Sequence, residues 1–331
     1  MTTTLRLGQI LKGNLSTYTL TKQLHDSVWL ATNLAGQNTI LKSVPHWSIH
    51  NERDVLLRFQ SRAPGLRPLI DEIATTASEA PTIVLKWVED DALSACSRRR
   101  FTRKEVKNVA RTVLGVLEVM HGEGVVHTDI KPDNILVDYK TLGEHSRIST
   151  ACLADLGNAV SIDSEYARDG FPIGAPIFRS PEAALRIPWG CATDIWSLGT
   201  TLISLIWGLN WHIFKPSVPV DHEDYELEIM MKHCQYFGPY PLSYREIADL
   251  DKQSALADIM NTVGGATSGQ DIRKPFCLIR EKEISREDRK FLGKMMRLDP
   301  RNRPTARELL RDEWFEDEGD DFPSGGRLCN A

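Results

Sequence analysis

The sequence predicts an α+β fold in two lobes, a small five-stranded β lobe with one helix followed by a larger, mainly α-helical lobe. Strand-like segments with turn residues between them end near residue 88. From residue 101 onward the apolar residues recur at helical spacing instead. We therefore expect the boundary between the lobes within residues 88–93.

The small lobe begins with three predicted antiparallel strands, at residues 18–24, 28–31 and 38–44, with a very short turn after the first. In residues 50–59, Val55, Leu56 and Phe59 recur at helical spacing behind the charged Glu52, Arg53 and Asp54. One amphipathic helix thus interrupts the sheet. Two more strands, at residues 69–73 and 82–88, complete the predicted five.

The large lobe is predicted to begin with a long helix from residue 101. Its apolar stripe ends before two glycines and consists of Val106, Val109, Val113, Leu117 and Met120. Further helices are predicted at residues 193–207, 223–236, 286–296 and 305–314. We expect four segments in all: an N-terminal extension (1–17), the small lobe (18–88), the large lobe (89–315) and an acidic flexible tail (316–331).

Composition excludes several classes of protein. The 331 residues are 41% hydrophobic and 26% charged with a formal net charge of −5, so we expect a folded protein without direct nucleic-acid binding. We also expect a monomer, although no feature of the sequence fixes the oligomeric state. No run approaches the roughly 20 apolar residues that span a bilayer, and the first residues do not resemble a secretory signal. Six cysteines without C-x-x-C spacing argue against a zinc site or disulfides. We expect a cytoplasmic or nuclear protein without membrane contact.

The segment VVHTDIKPDNILVD, residues 125–138, carries the most informative polar side chains. Transfer of a γ-phosphoryl group needs a carboxylate to orient the attacking hydroxyl, a cation for the phosphate and an oxygen ligand for Mg2+. Asp129, Lys131 and Asn134 provide these groups, and a further carboxylate, Asp155, follows 21 residues after Asn134. An aspartate before Ile-Lys-Pro could instead simply begin a turn. We interpret His127 as a packed structural residue.

Lys42 and Glu52 form a second candidate pair upstream. Lys42 ends the strand TILK, and Glu52 lies in the helix that follows. A lysine that reaches the α- and β-phosphates of ATP needs an anion to hold its flexible side chain, and a helix glutamate serves this purpose. The alternative is two unrelated surface charges, and the order of Lys42 and Glu52 relative to Asp129 and Asp155 favours the pair.

Together these residues resemble the protein-kinase superfamily over roughly residues 18–315. The spacing D-x-K-x-x-N is that of the kinase catalytic loop, and Asp155-Leu156-Gly157 stands where kinases have the metal-binding D-F-G element. FRSPEAAL (178–185) and TDIWSLG (193–199) are similar to the A-P-E element and the central helix of the large lobe. The forms HTDIKPDNIL, DLGNA, RSPE and EDYELEIMMKHCQYFGPYP look most like the SR-protein kinases of the CMGC group.

The resemblance implies a bilobal protein-kinase fold, ATP and Mg2+ as cofactors, and a protein substrate with serine in arginine/serine-rich segments. It also implies activity without phosphorylation of the activation segment, in keeping with Thr128 in place of the arginine that would bind such a phosphate. It further implies that the backbone of residues 86–88 forms hydrogen bonds with adenine. The implied nucleotide-binding residues are Val28, Ile40, Lys42, Leu85 (the gatekeeper), Lys86, Val88 and Leu136. The implied metal ligands are Asn134 and Asp155, and Asp129, Lys131, Lys42 and Glu52 are the implied catalytic residues.

Scaffold roles follow for three further residues. The carboxylate of Glu182 is expected to pair with Arg303, and Asp194 is expected to support the backbone of the catalytic loop from below. None of the three is expected to act on substrate.

The chain departs from the kinase pattern at three positions. The turn before Val28 has none of the three glycines that let backbone N–H groups approach the phosphates, and it carries Asp26 instead. Ile40 replaces the usual alanine and would crowd the adenine. Gly174-Ala175-Pro176 offers no threonine hydroxyl to bridge Asp129 and Lys131. These departures keep two alternatives open beside an active serine/threonine kinase: a pseudokinase scaffold and a kinase-fold enzyme that phosphorylates a small molecule.

Two charged clusters have competing interpretations. Asp221, Glu223, Asp224, Glu226 and Glu228 lie near the start of a predicted helix, where they could attract arginines of a substrate or simply complement the helix dipole. Arg98, Arg99, Arg100, Arg103 and Lys104 precede the long helix, and we interpret them as a solvated loop and helix start; the alternative is a contact with phosphate or with an acidic protein.

Overall fold

Six strands form one antiparallel sheet in the first of two structural units. The computed structural model describes residues 5–74, 80–142, 145–267 and 269–317, and it divides the chain into Met1–Asp90 with Leu136–Ala159 and Asp91–Ile135 with Val160–Ala331. The strands are β1 (Ile10–Lys12), β2 (Thr17–His25), β3 (Val28–Asn33), β4 (Asn38–Ser43), β5 (Leu69–Glu72) and β6 (Thr82–Lys86), and helix α1 (Trp47–Phe59) lies between β4 and β5 in the chain. Their order in the sheet is β1-β2-β3-β4-β6-β5.

Helices make up most of the second unit, whereas the two strands at Ile135–Leu142 and His145–Leu153 lie almost entirely in the first. The remaining elements are β7 (Asp90–Asp91), α2 (Ala92–Arg98), α3 (Arg103–His121), β8 (Val125–Val126), β9 (Ile135–Leu142), β10 (His145–Leu153), β11 (Val160–Ser161), α4 (Glu165–Arg168), α5 (Pro181–Ala184), α6 (Ala192–Trp207), α7 (Tyr225–Phe237), α8 (Leu250–Val263), α9 (Arg286–Met295) and α10 (Ala306–Leu310). Short 3-10 helices cover Pro132–Asn134, Pro176–Phe178, Leu242–Glu246, Phe276–Leu278, Pro300–Asn302 and Glu313–Phe315. Strand β9 pairs with β10 on one side and with β7 on the other, and β11 pairs with β8.

The two faces of the six-stranded sheet carry different side chains, because successive residues of a strand point to opposite faces. One face buries an apolar cluster of Tyr18, Leu20, Trp29, Ala31, Leu41, Ile73 and Val84. The register pairs Val28 with Lys42 and Ile40 with both Leu30 and Leu85, which places these side chains on the other face. The sheet therefore presents Lys42 on the same face as Val28, Ile40 and Leu85, three of the predicted nucleotide contacts.

Strand β1 corrects the predicted number of strands in the sheet, which is six and not five. Ile10–Lys12 pairs with β2, and the carboxylate of Asp71 fixes the connection by accepting bonds from the backbone N–H groups of Asn14, Leu15 and Ser16 and from the Tyr18 hydroxyl. A three-residue strand is too short to show alternation in the sequence, so the prediction missed it.

The paired strands β9 and β10 explain why Leu136–Ala159 groups with the first unit, whereas the sequence placed residues 89–315 in a single lobe. Leu153 exchanges backbone hydrogen bonds with Gly65 and Arg67. The backbone N–H of Glu89 donates to the carboxylate of Asp138 at 3.1 Å. The lobe limits at residues 18–88 and 89–315 remain a prediction, and most of the predicted tail, residues 318–331, lies outside the described residues.

The helix predictions agree with the structure where the apolar stripe is long. Helix α3 starts in a capping box of Thr102 and Glu105, buries all five stripe residues and ends at Gly122. Helix α6 is buried from Thr193 to Trp207 and forms the centre of the second unit. Helices α2 and α8 were not predicted. In the part of the chain that the structure describes, no helix is long and apolar enough to cross a membrane.

His233 is a fully buried histidine in the core of the second unit. Its ring lies 4.4 Å from the ring of Phe214 and 4.9 Å from that of Trp196, measured between centroids. Neither ring nitrogen has a hydrogen-bond partner among the described residues. Burial, with a smaller contribution from Arg303, lowers the pKa of His233 to about 3. The imidazole is therefore neutral in the folded protein at neutral pH.

This neutral histidine predicts a loss of stability in acid. The unfolded chain binds a proton near pH 6.5 and the folded chain only near pH 3, so stability is present above pH 6.5 and falls as the pH drops through this window. Between pH 7 and pH 5, we expect the free energy of unfolding of His233→Leu to fall by about 2 kcal/mol less than that of the parent protein. Urea unfolding at both pH values measures this, with His50→Leu as an exposed-histidine control. Equal losses in the parent protein and His233→Leu would contradict the prediction.

Candidate active site

A lysine between two carboxylates forms the centre of the site in the first unit. The amine of Lys42 on β4 lies 2.7 Å from Glu52 Oε2 and 2.7 Å from Asp155 Oδ1. Glu52 is buried on α1, with 2% of its surface exposed, whereas the side chain of Asp155 is 40% exposed. The structure thus brings together three residues that the sequence separates by up to 113 positions.

Electrostatics keep this lysine charged. Burial disfavours the ammonium form, but Glu52 and Asp155 outweigh it and raise the pKa of Lys42 above its usual value. Asp155 itself has a φ of 64°, a left-handed conformation that is uncommon for residues other than glycine. Such conformations persist where the surroundings hold them, and they are frequent at functional sites.

The predicted adenine contacts all belong to the first unit. Leu85 and Ile40 are paired residues of β6 and β4 and are both buried, while Val28, Val88 and Leu136 are half-buried. The carbonyl of Lys86, assigned to adenine by the resemblance, accepts a 2.8 Å hydrogen bond from Nε of Arg67. No motif connects Arg67 with this backbone, so the sequence analysis missed the contact.

Asp129 is the centre of a hydrogen-bonded group in the second unit. Its Oδ2 accepts from the amine of Lys131 at 2.8 Å and from Nδ2 of Asn134 at 3.0 Å. Nδ2 of Asn134 also donates to the Asp129 carbonyl at 2.7 Å. Because the amide nitrogen of Asn134 is used in this way, its Oδ1 is the atom left to bind a cation.

A backbone N–H replaces the threonine hydroxyl that the sequence lacks. The N–H of Ala175 donates to Asp129 Oδ1 at 3.3 Å. Gly174 makes this approach possible: its φ is 62°, and a Cβ atom there would lie 2.7 Å from the Thr128 carbonyl oxygen. Asp129 therefore has a main-chain donor on the side where the expected threonine hydroxyl is missing.

The loop before Asp129 is fastened from α6, as expected for Asp194. The buried Asp194 carboxylate accepts from the N–H groups of His127 at 2.8 Å and Thr128 at 2.9 Å, and its Oδ2 lies 2.9 Å from His121 Nε2. Thr128 has a φ of 74°, which is exceptional for a β-branched residue. His127 is fully buried, in keeping with its interpretation as a packed residue.

The predicted ion pair between Glu182 and Arg303 is present and fully buried. The two guanidinium nitrogens lie 2.6 and 2.7 Å from the two carboxylate oxygens, and neither side chain is exposed. Arg303 also donates to the carbonyls of Arg297, Ala192 and Leu298. It fixes the start of α5 against α6 and the segment before α10.

The basic run before α3 is not simply solvated, which corrects our interpretation. Arg99 forms a bidentate pair with Glu105, at 2.7 and 2.8 Å. Arg103 is only 4% exposed and binds the carboxylates of Asp288 and Asp317. These arginines stabilise the fold because their charges already meet carboxylates inside it.

The acidic cluster near α7 divides into two groups. Glu226 pairs with Arg179 at 2.9 Å, and Glu228 accepts from the backbone N–H and hydroxyl of Ser217. These bonds lower the pKa of Glu228, chiefly through the Ser217 N–H. The remaining acids, Asp221, Glu223 and Asp224, are exposed.

Comparison with known proteins identifies the family. The model of the protein kinase domain matches residues 12–315. Human serine/threonine-protein kinase PAK 4 is 32% identical over 127 residues, which are 38% of this chain and 20% of that protein. Drosophila melanogaster serine/threonine-protein kinase PAK mbt is 26% identical over 239 residues, 72% of this chain and 29% of the relative. The chain thus matches only about a fifth to a third of the length of these relatives.

A solved structure shows the same fold. The yeast RNA Pol II CTD kinase CTDK-1 complex contains a chain that superimposes with a TM-score of 0.71, covering 93% of this chain and 94% of the other at 18% identity. The chain belongs to the protein kinase domain family and has its bilobal α+β fold, which confirms the predicted fold class. The likeness to SR-protein kinases in particular remains a prediction.

The buried ion pair predicts a large effect of a small change. Glu182→Gln keeps the shape but leaves the buried Arg303 charge without its counter-ion, so we expect a loss of about 3 kcal/mol in the free energy of unfolding. Glu226→Gln makes the same change at a pair whose carboxylate is half exposed, and should cost less than about 1 kcal/mol. Urea unfolding of both variants measures the difference. Equal losses would show that burial of the ion pair is not the deciding factor.

Proposed function

We propose that this protein is a serine/threonine protein kinase that transfers the γ-phosphate of ATP to a hydroxyl of a protein substrate. The observation that carries the proposal is the amine of Lys42 held at 2.7 Å by both Glu52 and Asp155. This arrangement fixes a cation beside an exposed carboxylate, as phosphate and metal binding by ATP-dependent kinases requires.

The first unit would bind the nucleotide. Lys42 binds the α- and β-phosphates, and Glu52 holds the lysine in place. The half-buried Val28 and Leu136 enclose the adenine, with Ile40 and the gatekeeper Leu85 behind it. The backbone at Lys86 and Val88 provides its hydrogen bonds.

The second unit would orient the acceptor hydroxyl. Asp129 accepts the proton of that hydroxyl, and Lys131 stabilises charge on the transferred phosphate. Ala175, Lys131 and Asn134 all donate to the Asp129 carboxylate, so its position is set before substrate arrives. Preorganised donors of this kind need no rearrangement at the moment of reaction.

Each of the two proposed metal ligands offers an oxygen atom that suits Mg2+. Magnesium prefers oxygen ligands, usually one or two carboxylates together with phosphate oxygens and water. Asp155 offers a partly exposed carboxylate, and Asn134 offers Oδ1 because its Nδ2 is bonded to Asp129. When bound, Mg2+ neutralises charge that develops on the phosphates.

A pseudokinase is the second candidate, and one observation favours it. The register pairs His25 with Val28, so only Asp26 and Ser27 turn between β2 and β3. This turn has no glycine to bring N–H groups close to phosphates, and Asp26 adds a negative charge. A pseudokinase would bind ATP weakly or not at all and would transfer no phosphate.

Substitution of the proposed catalytic carboxylates tests transfer directly. We expect Asp129→Asn and Asp155→Ala each to lower kcat at least ~100-fold, because one removes the group that orients the hydroxyl and the other a metal ligand. Phosphate incorporation into an arginine/serine peptide with Mg-ATP measures this. Asp251→Asn on α8 is the exposed control and should keep full activity. Equal incorporation by all four proteins would reject the proposal, and no incorporation by any would favour the pseudokinase.

Gly174 provides a test of the main-chain bond to Asp129. Gly174→Ala places a Cβ against the Thr128 carbonyl and should move Ala175 away from Asp129, so we expect kcat to fall at least ~10-fold. Gly36→Ala is the matched control: Gly36 also has positive φ, but no atom lies within 4 Å of an added Cβ. An unchanged kcat in Gly174→Ala would show that the bond is dispensable.

Arginine-rich segments are the proposed substrate class, and the three exposed acids near α7 would attract them. Reversal of Asp221, Glu223 and Asp224 to lysine should raise the KM for an arginine/serine peptide at least ~5-fold at low salt and leave kcat unchanged. Glu226 and Glu228 are excluded because their partners are internal. Reversal of Asp251, Asp258 and Glu281 controls for net charge. If both triple variants behave alike, the cluster does not select substrate.

A further inference from the structure

Asn51 on α1 makes an unusual set of hydrogen bonds. The two N–H donors of its Nδ2 are shared among the carbonyl oxygens of Ala159 at 2.8 Å, Gly157 at 3.0 Å and Leu156 at 3.3 Å. All three acceptors follow Asp155 within four residues. One side-chain amide therefore binds nearly the whole segment that leaves the proposed metal ligand.

The position of Asn51 connects this segment to the lysine pair. Asn51 directly precedes Glu52, whose carboxylate binds Lys42, and Lys42 in turn binds Asp155. Glu52 and Asp155 both bind Lys42. Asn51, which precedes Glu52, binds the carbonyls that follow Asp155, so these contacts form a closed ring. Each side of this ring restricts the other.

The first turn of α1 approaches the same segment closely. A Cβ atom on Gly157 would lie 3.3 Å from Cβ and from the carbonyl oxygen of Ser48. Ser48 and Asn51 are three residues apart and so lie on one face of the helix. This face packs directly on the backbone after Asp155, and Asn51 supplies its polar contact.

Asp155 needs such support because its φ of 64° is unfavourable for a residue other than glycine. A strained conformation persists only when the surrounding contacts determine it. The carbonyls that accept from Asn51 lie one, two and four residues beyond Asp155. They are close enough to fix the direction in which the Asp155 carboxylate points.

We propose that Asn51 is a positioning residue that holds Asp155 in its metal-binding conformation. This inference rests on the proposed function, since it gives Asp155 the role of a Mg2+ ligand. The contact makes the order of the Asp155 segment depend on α1 itself. A second consequence is that displacement of α1 would disturb Glu52 and Asp155 together.

The expected signature is a change in metal dependence. Without the amide, Asp155 is in place in only a fraction of molecules, and apparent affinity falls in proportion to that fraction. We expect the Mg2+ concentration for half-maximal activity at saturating ATP to rise at least ~5-fold in Asn51→Ala and more in Asn51→Asp, whose carboxylate would face three carbonyl oxygens. High Mg2+ should restore the maximal rate of Asn51→Ala, but not that of Asp155→Ala.

Asn38→Asp is the matched control, because it makes the same chemical change at an exposed residue of β4. A role of Asn51 in stability alone would lower the amount of folded protein or the maximal rate without moving the Mg2+ midpoint. Midpoints equal to that of the parent protein in both Asn51 variants would overturn the proposal.

Hydrogen exchange in nucleotide-free protein separates this inference from the proposed function. Backbone amides in residues 155–160 should exchange faster in Asn51→Ala than in Asn38→Asp. If the parent protein shows no Mg2+-dependent activity, the proposed function fails, and the metal-positioning role fails with it. Faster exchange would then retain only the structural contact. Unchanged exchange would overturn the inference even in an active kinase.

Discussion

The pairing of Lys42 with two carboxylates is the constraint on which the site in the first unit depends. A buried ammonium group without partners would lose its charge or destabilise the fold. Glu52 and Asp155 provide the negative charges that keep the ammonium group ionised. The two carboxylates come from different elements of the first unit. The positions of α1, β4 and the segment after β10 are therefore linked through a single amine.

Polar contacts have a comparable role in the second unit, where they fix a loop. Asp194 holds the backbone of His127 and Thr128 from α6, and Thr128 adopts a left-handed conformation that would be unfavourable alone. The result is a rigid base from which Asp129 projects. Its carboxylate then receives three donors, one of them from the main chain of Ala175. The strain at Thr128 and the order at Asp129 belong to the same arrangement.

Sequence analysis can predict features that depend on residue type and spacing. Asp129, Asn134 and Asp155 are recognisable because their chemistry and spacing are specific, and the stripe of α3 is long enough to identify a helix. Main-chain contacts leave no such signal. The N–H of Ala175 replaces a threonine hydroxyl, and the amide of Asn51 binds carbonyls about 105 positions away, so neither contact could be found without coordinates. Arg103 was misjudged for a related reason: its partners Asp288 and Asp317 are distant in sequence.

Calorimetric titration of the protein with ATP, with and without Mg2+, tests the central claim most directly. If Lys42, Glu52 and Asp155 form a nucleotide site, ATP should bind to the parent protein in a Mg2+-dependent manner, and Lys42→Met should weaken that binding at least ~10-fold without unfolding the protein. Absence of ATP binding by the folded parent protein, or equal binding by Lys42→Met, would contradict the account.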